Sequence, residues 1–158
     1  MAGTFLIVIL FIGITWILLR GQIRIVPERM ITVRDIPQVI SQLQQSARDG
    51  HFAVLLFIPP GSTDGEKVNL QYSIEEGIVG LDWVLLSPPN VADREKIREF
   101  AAKHGHSFVE REKNQVRYLR VTGPDIAGLG AKIILEFYQI GPETGLELIA
   151  EGFEWPPG

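Results

Sequence analysis

The feature that most constrains this chain is an apolar run at its amino-terminal end. No charged side chain occurs in residues 2–19, and almost every residue after Thr4 is aliphatic or aromatic. About 18 residues in a helix reach ~27 Å, which is enough to cross the hydrocarbon core of a bilayer, and a helix satisfies its own backbone hydrogen bonds there. The sequence therefore predicts a transmembrane helix over residues 1–20. The side chains expected to mark this anchor are Phe5, Leu10, Phe11, Trp16 and Leu19.

Basic residues follow the apolar run but do not precede it. Arg20, Arg24 and Arg29 form this flank. Because positively charged flanks stay on the cytoplasmic side, the pattern predicts a single-pass protein of the cell inner membrane whose carboxyl-terminal domain faces the cytoplasm. A secretory signal peptide is the alternative. No small-x-small cleavage pattern follows the run, which favours an uncleaved anchor.

The rest of the chain has the composition of one globular domain. Pro27 prevents a helix from continuing out of the membrane, so residues 21–34 are expected to form a connector and residues 35–158 the domain. The formal net charge is -4 at pH 7, and the chain contains no cysteine. The acidic balance argues against a nucleic-acid partner, and the lack of cysteine excludes disulfides and thiolate metal sites.

Hydrophobic periodicity predicts an α+β domain with an antiparallel sheet of about five strands and three helices. Strands are expected over residues 52–58, 68–74, 78–86, 108–111 and 116–121, and helices begin near residues 36, 91 and 125. The order is α-β-β-β-α-β-β-α, preceded by one transmembrane helix, and a weak alternation over residues 146–153 allows a last short strand. Asn69, Gln71 and Ser73 alternate with apolar residues, so we expect a solvent-exposed sheet face there that contacts a partner.

The third predicted helix, residues 125–138, is apolar on more than one side. Gly128 and Gly130 each cost roughly 1 kcal/mol of helix stability relative to alanine, which a close packing contact would offset. One side is expected to face the sheet. The other side either binds a second protein or a second copy of this chain, or is covered by the carboxyl-terminal tail as part of the core. The candidate interface residues are Ala127, Gly128, Ala131, Ile134, Leu135 and Tyr138.

The order of elements, with the strings Gly80-Leu81-Asp82-Trp83 and Glu151-Gly152-Phe153-Glu154-Trp155, resembles the type III secretion chaperone-like fold, including YbjN-type bacterial domains. The resemblance covers about residues 36–138 and extends toward residue 155. It implies a unit that is commonly dimeric, binds other polypeptides and performs no catalysis. Together with the predicted anchor, it indicates a membrane-tethered adaptor or an accessory subunit of a membrane complex, with no cofactor expected.

An enzyme, or a ligand- or metal-binding domain, is the alternative function. His104 and His106 flank a glycine and could bind a metal if a carboxylate such as Glu110 joined them, although two histidines at a helix end are more often surface residues. Asp82 lies inside an apolar strand, where burial could raise its pKa for acid-base chemistry. A carboxylate that accepts hydrogen bonds in the sheet is the simpler interpretation. The sequence therefore predicts no catalytic, cofactor-binding or metal-binding residue.

Overall fold

The computed structural model describes residues 29–63 and 65–158. The predicted anchor residues Phe5, Leu10, Phe11, Trp16 and Leu19, and the flanking Arg20 and Arg24, lie outside the described residues. Within the two described ranges, no helix combines the length and the apolar character needed to cross a bilayer.

The described residues form an α+β domain with a seven-stranded antiparallel sheet. The strands are β1 (Arg29–Ile31), β2 (Phe52–Phe57), β3 (Val68–Glu75), β4 (Ile78–Val84), β5 (Val109–Lys113), β6 (Val116–Val121) and β7 (Leu146–Glu151), in the spatial order β1-β7-β2-β3-β4-β6-β5. The helices are α1 (Ile36–Ser46), α2 (Pro88–Ala92), α3 (Arg94–Lys103) and α4 (Ile126–Lys132). A 3-10 turn (Val33–Asp35) precedes α1, and a π-helical segment (Ile133–Phe137) continues α4.

The α+β class and the antiparallel sheet are confirmed, but the predicted numbers of strands and helices were too low. The additional strands are β1, which was not predicted, and β7, which lies where the weak alternation over residues 146–153 allowed a last short strand. They pair with each other at one edge of the sheet. β1 has only three residues, too few to show periodicity, and it lies in the segment expected to be a connector. The second predicted helix is divided at Asp93 into α2 and α3. Ser87 caps α2 by accepting a hydrogen bond from the Asn90 backbone N–H.

One face of the sheet is covered by the helices and carries the main core. Alternate residues of each strand point to the same face, so Leu70 and Tyr72 of β3 pack with the buried stripe of α1 and with α4. The stripe on α1 contains Ile36, Val39, Ile40 and Leu43. Full burial of one such side chain contributes roughly 1.5–3 kcal/mol, so this layer dominates the stability of the domain.

The opposite face, which we call the second sheet face, carries the intervening residues of each strand. Its central side chains are Val54, Leu56, Asn69, Gln71, Ser73, Asp82, Val84, Tyr118 and Arg120. The prediction that Asn69, Gln71 and Ser73 are solvent-exposed was wrong, because their exposed fractions are 0%, 9% and 7%. The alternation of polar and apolar residues correctly separated the two faces of β3, but it did not report how deeply the polar face is buried.

Asn90 on α2 joins this helix to the sheet. Its side-chain Nδ2 donates to the Asn69 carbonyl at 2.7 Å, and its Oδ1 accepts from the Asn69 backbone N–H at 3.0 Å. The β3–β4 ladder begins only at Gln71, which pairs with Asp82. The carboxamide of Asn90 therefore occupies the place of a neighbouring strand beside Asn69. Trp83 Nε1 also donates to the Asn90 carbonyl, at 2.9 Å.

Candidate functional site

The second sheet face is concave. In the strand register Glu75 lies opposite Ile78 and Tyr118 lies opposite Val84, so the two pairs are separated by six residues of β4, about 20 Å in a straight strand. The Tyr118 hydroxyl nevertheless donates to Glu75 Oε1 at 2.7 Å, and Arg111 Nη1 lies 3.7 Å from Glu75 Oε2. These contacts require the end of the β3–β4 hairpin to curl toward β5 and β6.

A buried ion pair lies inside this concave face. Arg120 and Asp82 stand opposite each other on β6 and β4, with side chains 3% and 2% exposed. Arg120 Nη1 donates to Asp82 Oδ1 at 2.7 Å, and the Ser73 hydroxyl donates to Asp82 Oδ2 at 2.5 Å. Arg120 Nη2 donates to the carbonyls of Ser73 and Ile78. Both ions are thus hydrogen-bonded on several sides, the condition under which a buried pair is tolerated.

Gly80 makes room for this arrangement. A Cβ atom on Gly80 would lie 2.4 Å from Arg120 Cζ, closer than real Cβ contacts allow. The guanidinium therefore crosses β4 directly over the glycine. This contact gives a structural reason for the glycine in the string Gly80-Leu81-Asp82-Trp83.

Burial raises the pKa values of two groups in this cluster, Asp82 and Tyr118. Burial raises the pKa of Asp82 to about 6, although Arg120 and the hydrogen bond from Ser73 oppose the shift. Burial, together with the hydrogen bond to Glu75, also raises the pKa of Tyr118. The Asp82 carboxyl therefore titrates in mildly acidic solution, while Tyr118 stays neutral and keeps donating to Glu75.

A small pocket opens on the second sheet face, with a volume of about 40 Å³, room for a few water molecules. Its lining comes from four neighbouring strands and the edge strand β5, which meet here because the sheet is curled. The principal lining side chains are Phe52, Gln71, Ser73, Glu75, Asp82, Val84, Lys113 and Tyr118.

One buried carboxamide on this face makes no hydrogen bond with the described residues. Neither Nδ2 nor Oδ1 of Asn69 has a partner in the described part of the chain. An unpaired buried polar group costs about 1–3 kcal/mol, so the Asn69 side chain calls for an explanation. The neighbouring Gln71 side chain, 9% exposed, lines the pocket.

An apolar area adjoins the carboxamides on the side of β2 and β7. Val54 and Leu56 are 1% and 2% exposed and pack with the partly buried Phe52 and Ile149. The buried apolar side chains of all described helices belong to the other core cluster. Among the described elements, therefore, only sheet residues contribute to this apolar area.

The predicted helix interface is placed on the opposite side of the sheet. A Cβ on Gly130 would lie 1.8 Å from the hydroxyl of Tyr72, which donates to the Ile126 carbonyl at 3.0 Å. Ile134 is fully buried, and Tyr138 is 8% exposed and stacks on Trp83. Ile134 and Tyr138 therefore belong to the core, as the alternative interpretation of this helix expected.

The remaining candidate interface residues are partly exposed. They are Ala127, Gly128, Ala131 and Leu135. Their contact with a partner stays a prediction. Because α4 packs on the Leu70 and Tyr72 side of β3, it cannot share one continuous surface with Asn69, Gln71 and Ser73.

The structure does not bring the metal candidates together. His104 Nε2 lies 3.6 Å from Glu136 Oε2, while Glu110 is hydrogen-bonded by Arg94 and Arg117 rather than facing a histidine. In the two described ranges, no group of three or more histidine and carboxylate side chains is arranged to hold a metal ion. Asp82 lines the pocket without either histidine.

Arg120 is the site residue that sequence reasoning missed. Basic and acidic residues alternate along residues 110–120, a pattern that is typical of a solvated hairpin, yet Arg120 is nearly fully buried. A usable signal was present, since Arg120 stands alone within the apolar stretch Tyr118-Leu119-Arg120-Val121, just as Asp82 stands alone within β4. Two isolated opposite charges in apolar strands are candidates for a buried pair.

Comparison with known proteins found no matching family model, no similar curated protein and no similar solved structure.

Proposed function

We propose that this chain is a membrane-anchored protein-binding domain, an adaptor or accessory subunit of a membrane complex, whose partner docks on the second sheet face. The apolar run of residues 1–20 supports the anchor. The observation that carries the binding role is the pocket on this concave surface, which is lined by the partly buried Phe52, by Gln71 and by Asp82 of the buried ion pair. The resemblance to chaperone-like domains, which bind polypeptides, favours the same role.

The state of Asp82 favours binding over catalysis. Both of its oxygen atoms already accept hydrogen bonds, from Arg120 and from Ser73. A general base must also reach the proton that it removes, and the Asp82 side chain is only 2% exposed. The carboxylate is instead committed to holding Arg120 over Gly80, which shapes the concave face.

A second contact, with another copy of the chain, is proposed for the partly exposed side of α4. The small residues Ala127 and Ala131 would let a second helix approach closely, and Leu135 would add apolar area. Gly128 contributes less, because the Asp125 carboxylate lies where a Cβ on this glycine would be, 2.3 Å from Oδ1. This contact is independent of the second sheet face, because the sheet lies between them.

A site-specific crosslinking experiment tests the proposed partner. A photo-crosslinking amino acid placed at Ile149, on the rim of the second sheet face, is expected to capture a membrane protein in native membranes. The matched control places the same group at Val91, which is 52% exposed on α2. Equal capture from both positions, or a chain that purifies alone in mild detergent without any crosslink from Ile149, would contradict the proposal.

A further inference from the structure

We propose that the second sheet face is closed by the apolar run of its own chain, residues 2–19, and that insertion of this run into a bilayer opens the face to the partner. The inference rests on the proposed function for its premise that a partner docks on this face. The sheet and the bilayer then compete for one apolar segment, so docking is confined to chains that are already in the membrane.

The centre of the second sheet face is buried, although no described helix packs on it. Val54, Leu56 and Asn69 are almost fully inaccessible to solvent. The described side chains that pack with Val54 and Leu56 are Phe52 and Ile149, both from the sheet itself. The buried apolar side chains of the described helices and of the carboxyl-terminal tail belong to the core on the other face. Since a bare antiparallel sheet leaves its outer face in contact with water, a further layer covers this one.

The side chain of Asn69 points to the same conclusion independently. Neither polar atom of its carboxamide has a hydrogen-bond partner within the described ranges, and the residue is 0% exposed. A carboxamide on an open face would be hydrated, because water supplies the donors and acceptors that the protein does not. Water is therefore kept away from Asn69 by chain that lies outside the described ranges.

The apolar run is the segment whose composition fits this face. The chain outside the described ranges consists of residues 1–28 and residue 64. Within it, residues 2–19 carry no charge and are almost all aliphatic or aromatic, which suits contact with Val54 and Leu56. As a helix the run would reach ~27 Å, about the length of the eight-residue strand β3.

The run also enters the domain beside the apolar area that it would cover. It precedes β1, the edge strand, which pairs with β7. The apolar area lies on β7 and β2, the next two strands, and is therefore within ~10 Å of β1 at the usual strand spacing. In the strand register Met30 shares the second sheet face with Glu147 and Leu56. Residues 21–28 span at most ~28 Å, enough to lead the run back over this face.

The direction of the switch follows from how much of the run each environment covers. Both the sheet and the bilayer remove apolar side chains from water. A sheet contacts one side of a helix, whereas hydrocarbon surrounds it completely. Lipid therefore takes the run from the sheet when a bilayer is present, and the second sheet face is left uncovered for the partner.

Disulfide formation in the absence of lipid tests the closed state. The chain contains no cysteine, so an introduced pair reports a single contact. The full chain is synthesised without membranes with Ile149→Cys and one further cysteine at each of residues 5–15 in turn. Intramolecular disulfides are expected to recur every three to four residues, because one side of a helix faces the sheet. The control replaces Ile149→Cys by Gln44→Cys, an exposed position on α1, and should give no disulfide.

The reactivity of a buried cysteine tests the opening. Val54→Cys is treated with a water-soluble maleimide after synthesis with and without phosphatidylcholine–phosphatidylglycerol vesicles, which contain no partner protein. Its labelling rate should rise roughly tenfold or more with vesicles, because the run leaves the face for lipid. Leu43→Cys, buried in the core on the helical side, should label slowly in both conditions, which would show that lipid does not unfold the domain.

Three results would overturn the proposal: equal disulfide yields from Gln44→Cys, disulfides that form only between two chains, or a Val54→Cys labelling rate that vesicles do not change. If Ile149 captured a membrane protein in native membranes in any of these cases, the proposed function would stand without the switch. Periodic intramolecular disulfides with no capture from Ile149 would instead support closure and contradict the proposed function.

Discussion

Arg120 organises the second sheet face through four hydrogen bonds. It donates to the Ser73 hydroxyl, to Asp82 Oδ1 and to the carbonyls of Ser73 and Ile78. Each bond holds a group of β3 or β4 from a side chain on β6. The arginine therefore fixes the curl of three strands, and its loss would leave the Asp82 carboxylate buried without a counterion.

We expect Arg120→Met to lower the free energy of unfolding by about 3–5 kcal/mol at pH 8, because a buried carboxylate loses its partner. The pKa of Asp82 is about 6 in the folded protein, against 3.8 for the unperturbed group. The folded state therefore binds this proton more tightly, and the contribution of Asp82 to stability falls as the pH rises through this window. Without Arg120 the folded pKa rises further, so the loss of stability should be clearly smaller at pH 5.

Urea unfolding of the full chain in mild detergent at pH 5 and pH 8 measures this difference. Arg111→Met serves as the control, because the Arg111 side chain is 49% exposed and its contact with Glu75 is a solvated ion pair worth ~1 kcal/mol or less. Equal losses for Arg120→Met at both pH values would contradict the assigned role of Asp82, whose other charged neighbour is Glu75.

At the scale of elements, α4 packs into the core on one side, while its other side is partly exposed. Gly130 faces Tyr72 so closely that no Cβ fits, which explains why a residue that weakens a helix stands there. The helix then changes to a π-helical segment over Ile133–Phe137, which directs Tyr138 onto Trp83. Ala131, one position after Gly130, is only partly buried.

Substitutions at these adjacent positions should have opposite consequences. Ala131→Arg is expected to keep the fold, since the long side chain can extend to solvent, and to abolish self-association through α4. Gly130→Ala should lower the free energy of unfolding by about 2–3 kcal/mol, because Tyr72 must move. Light scattering and thermal unfolding of the purified full chain measure the two effects. Outright unfolding of Ala131→Arg would instead place both sides of α4 in the core.

At the scale of the whole molecule, the sheet separates the helical side of the domain from the second sheet face. Its edge strand β1 is the first described element after the predicted anchor in the sequence. The helices, including α4, lie on one side of the sheet. The side chains of Asn69 and Gln71 and the ion pair of Asp82 with Arg120 lie on the other. β1 begins at Arg29, so residues 21–28 connect the predicted anchor to the sheet and span at most ~28 Å. The β1–β7 edge would therefore stay close to the membrane surface.

Alkaline carbonate should leave the full chain in the membrane pellet, because the apolar run of residues 2–19 is predicted to insert into lipid. Leu10→Arg places a charge near the middle of that run, at a cost of about 2.5–3.5 kcal/mol, and should increase the fraction that carbonate extracts. Gln44→Arg, on the exposed side of α1, should have no effect on extraction. Recovery of wild-type protein that starts beyond Arg20 in the carbonate wash would contradict the anchor.

The amino-acid sequence alone determined the features that depend on local periodicity. The start of α1 near residue 36, the positions of β2 to β6 and the α+β class all follow from apolar spacings of two or of three to four residues, which neighbouring positions set by themselves. Only the tertiary structure decided the pairing of β1 with β7, the burial of Asn69, Gln71 and Ser73, and the contact of Arg120 with Asp82 across Gly80. These features join residues distant in sequence through the order and curl of the strands, and periodicity within one segment carries no record of either.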